Sequence, residues 1–265
     1  MDHVDSSSFS MSDYERQQEE IESETKSSPI VGDKQSIESL RQAYNPDNEQ
    51  VQKKINELIQ NYSVWRTVRG DGNCFIRAFL FSVCEELVLK KDTTKQKHFQ
   101  SVLKNSLESL VNLGYPEMLL DDFYSVLDDL VTEIGEGKIK SVDELQQRFV
   151  DPDTKDAIIC YMRFLISAYM QLNGDEYIPY VLGTTDHVTM DSYCKTELEG
   201  MYKEVDNIIV SATCAACGVS LRLECVDAQN RDSTQQVQTI TFPDQSEPTI
   251  FMLYRPGHYD ILYKR

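Results

Sequence analysis

Residues 74–88 constrain this chain more than any other stretch. Phe75, Ile76, Ala78, Phe79, Leu80, Phe81, Val83 and Leu87 leave almost no polar side. A helix that is apolar all round has no face to give to water, so it must be wrapped by other elements. The chain offers such elements. Val51, Ile55, Leu58 and Ile59 predict one face of a helix beginning near Asp47. Phe99, Val102, Leu103, Leu107, Leu110 and Val111 form a stripe ending at Gly114, a residue suited to a helix C-terminal cap. Further stripes run through Leu120, Phe123, Leu127, Leu130 and Ile134, and through Ile158, Tyr161, Leu165, Ala168 and Tyr169.

Strand character comes late. Val219, Leu221, Leu223 and Cys225 alternate with polar residues, and Gln236–Phe242 is a second candidate. Thr249–Tyr254 is a continuous apolar run, as expected of a central strand. Pro256-Gly257 then signals a turn before a last strand, His258–Lys264. Helices followed by a small, mostly antiparallel sheet predict an α+β domain in one piece.

The first 34 residues differ from the rest. They carry nine acids against three bases, two serine clusters and few large apolar residues. This composition predicts an acidic, disordered N-terminal arm over residues 1–34. Met11, Tyr14 and Ile21, at roughly helical spacing, leave open a segment that folds on a partner. The net charge of -18 argues against a nucleic-acid partner, since phosphate binding needs a basic footprint. No apolar stretch is long enough for a membrane span, and the polar start does not read as a secretory leader. Seven cysteines without such a leader are expected to be reduced thiols in a cytoplasmic or nuclear protein.

Four histidines allow a thiol–imidazole mechanism to be sought by elimination. His3 lies in the acidic arm, His98 reads as an exposed surface residue, and His187 stays open as a candidate but stands isolated in a loop. His258 opens the last strand with Asp260 two positions on. Residues i and i+2 of a strand share a face, so Asp260 can hold one imidazole nitrogen and leave the other to a nucleophile. A surface His–Asp pair without chemistry is the alternative. The nucleophile candidate is Cys74, after Gly70-Asp71-Gly72-Asn73. The glycines permit a tight turn, and Asp71 or Asn73 can cap the helix. A thiol there meets free N–H groups and the positive end of the helix dipole, which favour thiolate and can hold an oxyanion. The alternative is a core cysteine. Cys84, Cys160, Cys194 and Cys225 lack activating neighbours, and Cys214-Ala-Ala-Cys217 lacks the second pair that a zinc site needs. A redox-active Cys214–Cys217 pair remains as a separate reading.

Taken together, Gly70-Asp71-Gly72-Asn73-Cys74-Phe75-Ile76-Arg77-Ala78-Phe79 and Leu253-Tyr254-Arg255-Pro256-Gly257-His258-Tyr259-Asp260-Ile261-Leu262-Tyr263 resemble the otubain branch of the ovarian-tumour (OTU) deubiquitinases. The resemblance covers residues 35–265, which it implies are one catalytic domain of papain-like OTU cysteine protease fold. It implies Cys74 as nucleophile, His258 as general base and acid, Asp260 as the residue orienting the imidazole, and Asp71 as a support of the loop. Gly72 and Asn73 would belong to the loop whose amides form the oxyanion hole. No metal or cofactor is implied. The expected substrate is the isopeptide bond of polyubiquitin, lysine-48-linked by analogy with the family. The N-terminal segment would help bind the proximal ubiquitin, and ubiquitin-conjugating (E2) enzymes are implied as further partners. A non-catalytic block of ubiquitin transfer is the alternative role, and a monomer is expected. Ile76 and Gly70 depart from the aromatic residue and the proline common at these positions.

Overall fold

In the computed structural model, which describes residues 27–227 and 236–265, the apolar run forms a helix at the centre of the molecule. The described elements run β1 (Gln35–Ser36), a 3₁₀ helix (Ile37–Ala43), α1 (Glu49–Asn61), β2 (Tyr62–Arg66) and α2 (Cys74–Lys90). Then come α3 (Thr93–Asn112), α4 (Glu117–Gly135), α5 (Val142–Val150), α6 (Lys155–Leu172), α7 (Gly174–Thr184) and α8 (Met190–Tyr193). A π-helical turn (Cys194–Leu198) and α9 (Asn207–Cys217) lead into β3 (Leu221–Cys225), β4 (Gln238–Phe242), β5 (Ile250–Arg255) and β6 (His258–Lys264).

The helices follow their apolar stripes. Helix α1 begins at an Asn48 cap whose side chain accepts from the Val51 amide. Helix α3 gives way at Gly114, which adopts φ +93°. The α+β expectation holds. The strands form one six-stranded sheet in the order β1-β2-β6-β5-β3-β4, antiparallel except for the β3–β5 pair. The run 249–254 therefore does lie in a central strand.

Strand β2 was not foreseen. Helix α1 ends at Asn61 and β2 starts at Tyr62, with no glycine or proline to mark the change. Its strand identity comes from pairing with β6, not from a local signal.

The sheet separates two cores. On one face Phe75, Phe79, Leu127, Leu165, Ile209, Tyr259 and Ile261 belong to the main core shared with the helices. On the other, Leu40, Ile55, Leu58, Trp65, Leu253 and Leu262 form a second core under α1 and the 3₁₀ helix. Alternation along β6 follows from its period of two: Tyr259 and Ile261 face the main core, whereas His258, Asp260 and Leu262 take the opposite parity.

The boundary expected at residues 34/35 moves toward the N-terminus. Val31 is only 1% exposed and pairs with Val68, while the Gly32 amide donates to Thr67 and the Arg69 amide to Ile30. Main-chain pairing and burial of Val31 thus place 28–34 on the body. The reading of residues 1–26 as an arm concerns residues outside those described.

Helix α2 meets β6 through Phe75, whose ring packs edge-on against Tyr259 with centroids 5.1 Å apart. Phe75→Ala should destabilise the protein by about 3–5 kcal/mol in urea denaturation, the cost of an emptied aromatic site. It should also lower catalytic activity in the protein that remains folded.

Candidate active site

The loop before α2 is built around glycine. Gly72 adopts φ +76°, and a Cβ added there would lie 2.2 Å from the Tyr202 carbonyl oxygen. Asp71 accepts from the Asn73 amide at 3.1 Å, and its carboxylate takes both Nη groups of Arg77 at 2.8 Å. This is the bidentate geometry in which arginine grips a carboxylate best. Asp71 thus braces the loop from its side.

Capping differs from expectation. Asn73 occupies the N-cap position but makes no side-chain cap. Its Oδ1 turns inward and accepts from Arg163 Nε at 3.2 Å, Arg163 Nη2 at 2.8 Å and the Tyr202 amide at 3.0 Å. Three buried donors outcompete the helix end for one oxygen. Cys74, 5% exposed, opens the helix where the first-turn amides have no capping side chain.

His258 reaches this point from β6. Its Nε2 bonds Asp260 Oδ1 at 2.9 Å, and its Nδ1 lies 3.1 Å from where a Cβ on Gly70 would stand. Gly70 thus leaves room for the ring. The imidazole stands beside the Cys74 side chain, and with Nε2 engaged by Asp260 the nitrogen left for the thiol is Nδ1. Asp260 is fully buried and further held by the Val68 amide at 3.0 Å and Arg255 Nη2 at 2.5 Å. Burial works against a charged imidazole. The hydrogen bond to Asp260 and its charge, with the Cys74 side chain beside the ring, outweigh it and push the His258 pKa up to about 9.

The structure therefore brings Cys74, His258 and Asp260 together, with Asp71, Gly72 and Asn73 forming the adjoining loop. A small cavity of about 70 Å³ opens beside them, lined by Gly72, Cys74, Glu204, Val205, Gly257 and Tyr259 among others.

The other candidates separate from this site. Burial pushes the thiols of Cys84, Cys194 and Cys214 up to about 12, and those of Cys160 and Cys217 upward as well. Cys214 and Cys217 are buried free thiols on α9, poorly suited to redox exchange. His98 is exposed. His187 is not isolated: its Nδ1 contacts Ser192 Oγ and its Nε2 contacts Glu197 Oε1, both at 3.1 Å. His3 lies outside the described residues.

Two contributors escaped the sequence reading. Glu204 lines the cavity without any motif around it. Arg163 is a lone charge inside the apolar helix α6, and that anomaly was the available signal.

Comparison with known proteins settles the family. The peptidase C65 otubain family model matches residues 23–264. The chain belongs to the otubain family. Human ubiquitin thioesterase OTUB1 is 36% identical over 254 residues, covering 96% of this chain and 89% of its own length. The OVARIAN TUMOR DOMAIN-containing deubiquitinating enzyme 1 of Arabidopsis thaliana is 32% identical over 257 residues, covering 92% and 84%. A solved ceOTUB1 complex with ubiquitin aldehyde and UBC13~Ub aligns with a TM-score of 0.85 at 30% identity, over 94% of this chain and 99% of that one. As an otubain, the chain is a cysteine-type deubiquitinase.

The raised His258 pKa has a kinetic consequence. His258 stays protonated until pH approaches 9, so kcat/KM should fall above that value. Asp260→Asn removes a group that raises the pKa and should move this alkaline limb down by at least about one pH unit. A pH profile on a ubiquitin C-terminal amide substrate measures it, and an unmoved limb would contradict the assignment.

Proposed function

We propose that this otubain hydrolyses the isopeptide bond of lysine-48-linked polyubiquitin, with Cys74 as nucleophile, His258 as base and acid, and Asp260 as the group that orients the imidazole. The observation carrying this reading is the hydrogen bond from the His258 imidazole to buried Asp260, on a ring that stands beside Cys74 at the N-terminus of α2. His258 Nδ1 takes the thiol proton, and the thiolate attacks the carbonyl carbon of the ubiquitin C-terminal glycine. The uncapped first-turn amides of α2, beginning at Cys74, face the developing oxyanion, the Asn73 amide being already given to Asp71. Collapse of the tetrahedral intermediate breaks the C–N bond, and the imidazolium returns its proton to the departing lysine amine. Water, deprotonated by the same imidazole, then hydrolyses the thioester.

Substrate choice follows from shape and charge. A cavity walled partly by Gly72 and Gly257 suits a Gly-Gly tail and excludes side chains. Without the residues of the expected arm, the body keeps twelve of its eighteen net negative charges, which favours a basic recognition face. The Cys225 end of β3 lies at the active-site end of the sheet, because Cys225 pairs with Tyr254 and Tyr254 with Tyr259. Residues 225–231 and β4 (Gln238–Phe242) are our candidates for a ubiquitin contact; residues 228–235 lie outside those described. Residues 1–26 are assigned to the proximal ubiquitin.

A second reading rests on the solved relatives, which hold UBC13~Ub or UBCH5B~Ub together with ubiquitin aldehyde. Binding of an E2–ubiquitin conjugate, with inhibition of transfer that does not use Cys74, is compatible with the first reading.

A panel of diubiquitins of all linkages tests both. Wild type should cleave the lysine-48 linkage preferentially, and Cys74→Ala should lose at least about 10⁴-fold in rate, as expected when a nucleophile is removed. Equal inhibition of chain synthesis by wild type and Cys74→Ala would establish the E2 role. Undiminished cleavage by Cys74→Ala would overturn the mechanism.

A further inference from the structure

Arg163 lies in the middle of α6 with no exposed surface. Its guanidinium donates to Gly72 O at 2.9 Å, Lys203 O at 2.8 Å, Leu198 O at 2.8 Å and, twice, to Asn73 Oδ1. Every acceptor is a carbonyl oxygen. Among the described residues no carboxylate forms an ion pair with it. Hydrogen bonding of this kind solvates the buried charge without cancelling it, and a buried charge without a counter-ion is expensive to keep.

The acceptors also fall in a pattern. Gly72 and Asn73 immediately precede Cys74, while Leu198 and Lys203 flank the segment whose Tyr202 carbonyl blocks a side chain at Gly72. One guanidinium therefore joins the nucleophile loop to the chain that covers it. We propose that Arg163 is a positioning residue for Cys74: its planar fork clamps the Gly72–Asn73 loop beneath the 198–203 segment, and its unpaired charge favours the thiolate over the thiol.

This inference rests on Cys74 being the nucleophile. The surrounding charged and titratable groups leave the role open to Arg163. Asp71 and Arg77 are paired with each other on the loop and α2. His258 faces the thiol from β6, backed by Asp260 and Arg255, and Glu204 lines the cavity opposite. Cys160 on α6 adds only a thiol, itself pushed upward by burial. Burial pulls the Arg163 pKa down to about 10, against the pull of Cys160, Asp71 and Cys74, so the guanidinium stays protonated at neutral pH.

The test reads the thiol directly, in the full chain. The rate of Cys74 alkylation by iodoacetamide is followed against pH by mass spectrometry for wild type, Arg163→Lys and Arg163→Met. Arg163→Met should raise the midpoint by about one pH unit, which slows alkylation about tenfold on the acid side. Arg163→Lys should keep the midpoint near that of wild type, because the charge remains. Its kcat/KM should still fall, because the fork is lost. A wild-type profile in Arg163→Met, or equal shifts in both variants, would overturn the proposal.

Should neither variant fold, wild type labelled with ¹⁵N-arginine answers instead. The Arg163 Nε resonance should move with the Cys74 alkylation midpoint and lose that midpoint in Cys74→Ala; a resonance flat through it would overturn the proposal. Cleavage by Cys74→Ala would instead overturn the nucleophile assignment, so the two failures are told apart.

Discussion

Phe75 pressed against Tyr259 is the contact on which the site depends. Each ring is anchored one residue from a member of the candidate site: Phe75 follows Cys74 and Tyr259 follows His258. The helix supplies one half of the site and the sheet the other, and neither half could hold the thiol near the imidazole alone. Burial of both rings in the main core makes their separation costly. Alternation along β6 then turns that anchorage into chemistry. With Tyr259 facing the core, His258 and Asp260 necessarily share the opposite parity, where Val68 and Arg255 hold the carboxylate.

The loop before Cys74 is held from three directions. Asp71 and Arg77 grip it from α2, Arg163 from α6, and the Tyr202 segment from above. Such bracing allows Gly72 to keep a left-handed conformation and turns Asn73 away from the cap position, leaving the helix N-terminus to the reaction. The same logic explains the cysteines. Burial raises the thiols of Cys84, Cys160, Cys194, Cys214 and Cys217, whereas Cys74 stands among an imidazole, a helix end and a buried cation.

Much of this was legible in the sequence. The i, i+2 spacing of His258 and Asp260, the glycine loop before Cys74 and the apolar helix behind it are local features, and each found its expected place. The long helices announced themselves through their stripes. What stayed hidden depends on partners distant in the chain. Strand β2 exists because β6 pairs with it, and residues 28–34 join the body because Thr67–Arg69 offer main-chain bonds. Asn73 looked like a cap because a cap is local, and its real partners lie 90 and 129 residues away. Arg163 was visible only as an anomaly, a charge inside an apolar helix, whose meaning required the loop it supports.

The central claim is that one of seven thiols is made reactive and aimed at a ubiquitin C-terminus. The most direct measurement is reaction of the full chain with ubiquitin bearing a C-terminal electrophile, followed by peptide mapping of the adduct. A single adduct on Cys74, abolished by His258→Ala, is the predicted result. Adducts spread over several cysteines, or one placed on any cysteine other than Cys74, would contradict it.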